Sequence, residues 1–309
     1  MNSKTLFYVL KRIGLAILTI WVVITITFFV MHAVPGGPFV GEKATTPAVQ
    51  AAMEAKYGLD KPVLEQYFTY LGDIVLRFDF GPSLKQRGRQ VIDIIADGMK
   101  VSAKLGLIAA FGALVVGIVL GAVAALRRNK VIDKVIMVIT TAFVSMPSFI
   151  AGALLLTIFA VSLHLLPANG AQKNGLILPV VTLALYPMAY ITRLTRSSML
   201  DVLGQDYIRT ARAKGLSEHK VIYHHAFRNT LIPLVTFIGG SLPGLFAGAL
   251  ITETLFAIPG IGFISYNAMV AGDIPFSMFY MTFLAILTLL GNLISDILYA
   301  VVDPRVRIA

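Results

Sequence analysis

Few residues in this 309-residue chain could carry covalent or metal chemistry. There is no cysteine, which removes disulfides, thiolate metal sites and cysteine nucleophiles. The five histidines are His32, His164, His219, His224 and His225. The first two fall beside the ends of apolar stretches, and the other three lie in a polar, basic segment. His224 and His225 are neighbours and would point to different faces of a helix, so no metal site is expected. No Gly-x-x-x-x-Gly-Lys-[Ser/Thr] sequence occurs, so there is no P-loop to cradle a nucleotide. His-Glu-x-x-His and Gly-x-Ser-x-Gly are also missing, which argues against metalloprotease and serine-hydrolase chemistry. Acidic groups in the middle of apolar spans would signal ion coupling. Glu253 falls at one end of an apolar stretch and Asp296 towards one end of another, so neither is central. For Asp296, pairing with a nearby Arg or a backbone group is preferred to a proton relay. A catalytic site is not expected.

The elements that must position these residues follow from composition. Hydrophobic residues make up 57% and charged residues 14% of the chain, with a mean hydropathy of +0.81. An ordinary soluble domain carries roughly 25% charged residues. No soluble interior can hide that much apolar surface, so most of it must face lipid. Backbone in lipid has to satisfy its own hydrogen bonds, and strand-like alternation is absent, so an all-α integral membrane protein is expected. Six stretches free of Asp, Glu, Lys and Arg are long enough to span a bilayer, which takes about 20 residues. They are 13–41, 105–126, 135–172, 174–192, 229–252 and 274–295. Six transmembrane helices are therefore expected. The first reads as a retained anchor, because its apolar run outlasts the roughly 7–15 residues of a signal-peptide core.

Net charge is +10. In a membrane protein that excess reports topology before it reports a polyanionic ligand, so no nucleic-acid partner is expected. With the N-terminus inside, most of the 26 basic residues fall on inner segments, including Lys4, Lys11, Arg12, Arg127, Arg128, Lys130, Lys134, Arg193, Arg196, Arg305 and Arg307. The two short outer loops hold only Lys173. Both termini are thus expected to be cytoplasmic.

Two segments exceed simple connectors. Region 35–98 is read as an extracytoplasmic helical insertion. Thr46, Pro47 and Gly58 punctuate one helix, and a second is expected from Pro62 towards Leu76, with Tyr67, Phe68, Tyr70 and Leu71 on its apolar side. The inner loop 193–228 shows two short helical patterns broken at Gly215, with Ser217 placed to cap the second and Glu218 at its positive end. Rows of small residues, Gly240/Gly244/Gly248 and Gly117/Gly121, would let helices approach closely. Pro147, Pro187 and Pro243 lie inside expected spans, where they permit kinks.

The inner loop reads Asp206-Tyr207-Ile208-Arg209-Thr210-Ala211-Arg212-Ala213-Lys214-Gly215, then His225-Ala226-Phe227-Arg228-Asn229. This resembles the EAA-type cytoplasmic loop of permease subunits of ATP-binding-cassette importers, in the oligopeptide/dipeptide variant. Pro35–Phe39, Phe80-Gly81-Pro82-Ser83, Thr252-Glu253-Thr254, Ile258-Pro259-Gly260-Ile261-Gly262 and Asp303-Pro304-Arg305 agree, so the resemblance spans essentially the whole chain. Thr210 replaces the acidic residue that heads the general motif.

The resemblance implies a type I importer fold of the MetI-like kind in the cytoplasmic membrane of a prokaryote. Residues 1–34 would form the N-terminus and first helix, 35–98 the extracytoplasmic region, and 99–309 the core permease with its coupling loop 193–230. It also implies a second homologous permease subunit, two cytoplasmic ATPases that use ATP and Mg, and an extracytoplasmic solute-binding protein that delivers a short peptide. No cofactor would be bound by this chain. Asp206, Arg209, Thr210, Ala211, Arg212, Ala213, Lys214, Gly215, His225 and Arg228 would couple the loop to the ATPases. Ala211 and Ala213 would offer a small face for docking and Arg209, Arg212 and Lys214 the steering charge. Bent-helix positions Met146, Pro147, Ser148, Pro243 and Gly244 are candidates for the translocation pathway. Glu253, Pro259, Gly260 and Gly262 are candidates for an outer gate. Other solutes of such importers, namely a nickel complex, a glutathione-like compound or a sugar, stay open. An ion-coupled carrier would need repeats or central ionisable groups that the chain lacks, and an intramembrane enzyme would need a reactive pair at membrane depth.

Overall fold

Helices account for nearly all regular structure in the computed structural model, which describes residues 3–33, 58–86, 88–231, 233–234, 237, 244 and 248–302. Among these residues the β pairing consists of one isolated bridge, Pro82 to Gln90. Helix α1 is Ser3–Ala33, α2 Val63–Arg77, α3 Val91–Leu126 and α4 Val131–Ser145. Helix α5, Ser148–Leu155, runs on as a π-helix over Leu156–Ser162. Helix α6 is Ile177–Leu203 and α7 Asp206–Ala213. A continuous helical stretch follows: α8 (Glu218–Lys220), a π segment (Val221–Ala226) and α9 (Phe227–Thr230). Helices α10 (Leu250–Leu255), α11 (Ile261–Val270) and α12 (Ile274–Val302) complete the chain.

α1, α3, α6 and α12 each contain a segment long and apolar enough to cross a membrane, and α4 with α5 forms a fifth candidate, bent by 108°. Their large side chains stay exposed, as with Ile17, Ile26, Phe111 and Val138. That is the pattern of helices with a lipid-facing surface. The third expected span is therefore broken rather than kinked. Pro147 has no N–H to continue the ladder of α4, and it disfavours helical backbone at Met146, whose φ is −88° and ψ 126°. The fifth expected span lies mostly outside the described residues, as does the helix punctuated by Thr46 and Pro47. Gly240 and Pro243 also lie outside them, as do the motifs 35–39 and 303–305. Gly248 has a φ of +85°, so it stands in a left-handed turn rather than on a helical row with Gly244.

The residues group into two compact units. The first comprises 1–99 with 261–289. Here α2 stands close to its expected bounds, and its Tyr67 packs with Phe28 and Met278 while its hydroxyl meets Thr25 Oγ1 at 2.8 Å. Phe68, expected on the apolar side, is instead 66% exposed. Phe80 stacks on Phe279 with ring centres 3.8 Å apart. Ser83 explains part of its motif, because its hydroxyl donates to buried Asp273, whose other carboxylate oxygen accepts the Leu84 N–H at 3.2 Å.

The second unit comprises 100–260 with 290–308. α3 lies against α6 through its glycines. A Cβ on Gly117 would come 2.9 Å from the Met188 carbonyl oxygen, and one on Gly121 would come 2.5 Å from that of Thr192. Only a hydrogen atom fits there, as expected of the Gly117/Gly121 row. Pro187 lies inside α6, which continues through it. α5 packs on α6 and α10 around Gly152, where a Cβ would meet Thr182 at 3.0 Å and Leu255 at 2.9 Å.

Candidate functional site

The basic loop begins where α6 ends at Gly204. Gln205 is extended, and Asp206 then opens α7 with its carboxylate at the positive helix end. Ile208 and Ala211 are spaced three apart, so they share one face of α7. That face closes on Val221 and Ala226, with Val202, Leu203 and Leu216 around them. The loop thus has its own small core. Gly215 makes the reversal at a φ of +76°, the left-handed conformation that favours glycine.

This core corrects one expectation. Ala211 is 6% exposed and belongs to the loop's interior, while Ala213 is exposed. Ala211 shares its inward face with Ile208, whose longer apolar chain gains the most from burial there. Ser217 stands at the N-cap position of α8 but makes no side-chain cap. Glu218 stands in the first turn of α8, as expected, and Arg212 binds it through Nε at 3.1 Å and Nη2 at 2.7 Å. The guanidinium holds the Glu218 carboxyl below its ordinary range. Arg212 is thereby a brace across the Gly215 turn.

The loop's exposed residues include Tyr207, Arg209, Thr210, Ala213, Lys214, Tyr223, His224 and Arg228, with His225 half-buried. Asp206 is also exposed and lies 3.5 Å from Arg209. Asn229 donates to the Tyr207 hydroxyl at 2.8 Å, tying the loop's end to its beginning. Neither that bond nor the Arg212–Glu218 brace is evident from residue pattern, although an Arg and a Glu flanking a glycine turn could have suggested the brace.

A second feature lies in the same unit. A cavity of about 320 Å³ is walled by α3 and α6, with Phe237, Gly244 and Ala249 completing it. Its lining includes Leu105, Phe111, Leu114, Leu183, Pro187 and Ile191, and among the described lining residues Ser102 and Glu253 supply the polar side chains. Gly244 lines it and has nothing within 4 Å of where a Cβ would stand. Met146, Pro147 and Ser148 do not line it; they form the break between α4 and α5, where Pro147 and Ser148 are exposed. Pro243 lies outside the described residues.

Glu253 is fully buried. Its carboxylate accepts the Ser102 hydroxyl at 2.5 Å and the Ala249 N–H at 3.1 Å. Gly260 rests on that carboxylate: a Cβ there would come within 2.5 Å of either oxygen. Pro259 is exposed beside it, and Gly262 is buried in α11 of the other unit.

Comparison with known proteins adds to this geometry. Residues 117–308 match the family described as binding-protein-dependent transport system inner membrane component, and residues 5–101 match the N-terminal family of the same systems. A dipeptide transport system permease protein of Bacillus subtilis is 42% identical over 302 residues, covering 97% of this chain and 98% of the relative. An oligopeptide transport system permease protein of Escherichia coli K12 is 41% identical over 309 residues, covering 97% and 99%. Among solved structures, the inward-facing MetNI methionine ABC transporter aligns with a TM-score of 0.54 at 18% identity, over 69% of this chain and 97% of that one. At that identity the likeness concerns the fold, and it agrees with the MetI-like architecture expected.

Proposed function

The chain belongs to the family of binding-protein-dependent transport system inner membrane components, and from that membership we propose that it is the permease subunit through which an ATP-binding-cassette importer moves short peptides across a prokaryotic cytoplasmic membrane. The observation that carries the reading is identity above 40% along nearly the whole chain to permeases named for dipeptide and oligopeptide transport. The chain itself makes and breaks no bond. Its partners are a second related permease, two cytoplasmic ATPases that bind ATP and Mg, and a solute-binding protein on the far side.

Each step then has a place in this chain. The exposed side of the loop, from Asp206 to Gly215 with His225 and Arg228, docks into an ATPase. Arg209 and Lys214 steer that encounter, while Ile208 and Ala211 keep the loop rigid enough to transmit a push. The loop is continuous with α6, so ATP-driven closure of the ATPases reaches the cavity wall at Pro187 and Ile191. That cavity, including Gly244, is this chain's share of the pathway. The turn from Glu253 through Pro259 and Gly260 towards Gly262 is the outer gate, and the Met146–Ser148 break lets α4 and α5 tilt separately.

The test is mild solubilisation of the tagged chain from its host, beside a control lacking residues 209–227, followed by reconstitution with the co-purified proteins. Expected are a P-loop ATPase and a second permease, loss of the ATPase in the control, and ATP-dependent uptake of labelled di- or tripeptides by liposomes. Uptake of a nickel complex or a sugar in place of peptide would keep the importer and overturn the substrate. A chain that purifies alone and transports without ATPase would overturn the whole reading.

A further inference from the structure

The gate loop is organised around one buried carboxylate, and two classes of hydrogen bond among the described residues hold it. The first class lies within the loop. Glu253 donates its N–H to the Ala249 carbonyl at 2.8 Å, its own carbonyl accepts the Ile258 N–H at 2.8 Å, and its Oε1 accepts the Ala249 N–H at 3.1 Å. Gly260 packs so closely on the carboxylate that a Cβ there would force the Glu253 side chain to shift. Outside the loop, Gly170 donates to the Phe256 carbonyl at 2.7 Å. The bonds within 249–260 hold it in one shape around its own anion, and the Gly170 bond ties that shape to the segment before α6. The second class is the bond from Ser102, on transmembrane helix α3, to the same Oε1 at 2.5 Å.

Leu105 of α3 also packs with Phe256 and Ile258. Those apolar contacts are non-directional and tolerate sliding, whereas a hydrogen bond to a buried carboxylate is directional and lost within a small displacement. Ser102 and Glu253 also border the cavity, so the bond sits where loop, helix and pathway meet. We infer that the Ser102–Glu253 hydrogen bond is the releasable joint of the gate: the 249–260 loop moves as a preformed body, and opening separates it from α3 at this bond while its internal bonds persist. Ser102 and Glu253 are positioning residues in this scheme. Gly248, at a φ of +85° beside the loop, supplies backbone that can turn. This inference rests on the proposed import function and on the gate assigned to this loop.

The test uses the complete reconstituted importer. Because the chain has no native cysteine, Ser102→Cys with Ala249→Cys places a unique pair of thiols in this chain, to be joined by a short bifunctional methanethiosulfonate. Cross-linking is expected to cut peptide uptake at least tenfold, with recovery on adding reductant and with binding-protein docking unchanged. Uptake at the uncross-linked rate would overturn the joint. Separately, Ser102→Ala is expected to raise ATP hydrolysis in the absence of loaded binding protein several-fold, since the closed gate then loses a hold on α3; hydrolysis at the parent level would also overturn it. If the parent complex itself fails to take up peptide, the import reading fails instead, so the two failures are distinguishable.

Discussion

Arg196 of α6 grips Asp133 at the start of α4 with both prongs of its guanidinium, Nε to Oδ1 at 2.6 Å and Nη2 to Oδ2 at 2.8 Å. The Asp133 side chain is only 3% exposed and that of Arg196 is 24% exposed. The Asn129 N–H adds a third hydrogen bond to the same carboxylate at 2.8 Å. The pair therefore fixes the register of α4 against the helix that leads into the basic loop. A two-pronged grip also resists rotation, which one point charge would not.

Arg196→Ala should be costly because it strands a buried carboxylate, with about 3 kcal/mol lost. Arg196→Lys should recover only part of that, because an ammonium cannot match both oxygens. Thermal unfolding of the detergent-solubilised chain, with Asp133→Asn and the double variant completing a cycle, checks this. A double variant no better than the sum of the singles would contradict a direct coupling.

The Arg212–Glu218 brace should respond to pH in one direction. Glu218 titrates below its ordinary value of 4.5 because Arg212 binds the charged form. Its contribution is therefore complete above that value and disappears as pH falls through the lower folded value. Both side chains are about half exposed, at 43% and 57%, so the pair is worth only about 0.5 kcal/mol. Hydrogen exchange across 212–220 should be faster in Glu218→Gln than in the parent at pH 7. The two should converge in acid below pH 4.5.

Gly215 separates strain from crowding. A Cβ there would meet nothing within 4 Å, yet φ is +76°. Asparagine tolerates that backbone and a β-branched residue does not, with a cost on the order of 1–2 kcal/mol. Gly215→Asn should therefore keep normal coupling. Gly215→Val should insert normally but lose the stimulation of ATP hydrolysis by loaded binding protein. Equal stimulation in both variants would show that the left-handed turn is not what coupling requires.

Two glycines of α3 should behave oppositely on replacement by alanine. At Gly121 the new methyl would stand 2.5 Å from the Thr192 carbonyl oxygen, so α3 and α6 must part. Gly112 has nothing within 4 Å. Gly121→Ala should destabilise by about 1–3 kcal/mol through overpacking, and Gly112→Ala should be neutral or slightly stabilising through helix propensity. Melting midpoints in one detergent decide between them.

Residue pattern alone identifies an all-α membrane protein and most of the apolar stretches that its long helices occupy. A lipid-facing helix has to be apolar along about 20 residues, and that demand is local, so it can be read residue by residue. The turn at Gly215 was legible for the same reason, since a left-handed backbone selects its residue on the spot. Gly117 and Gly121 announced a close helix approach without saying to what. Which polar groups meet depends on how the chain folds back on itself. Asp133 finds Arg196 across 63 positions, Ser102 finds Glu253 across 151, and Ser83 finds Asp273 across 190. Local pattern says nothing about such pairings, because a buried carboxylate needs a donor from wherever the chain happens to return. The inward turn of Ala211 and the 108° break at Pro147 belong to the same class. Proline permits a bend, but the size of the bend is set by what each half packs against.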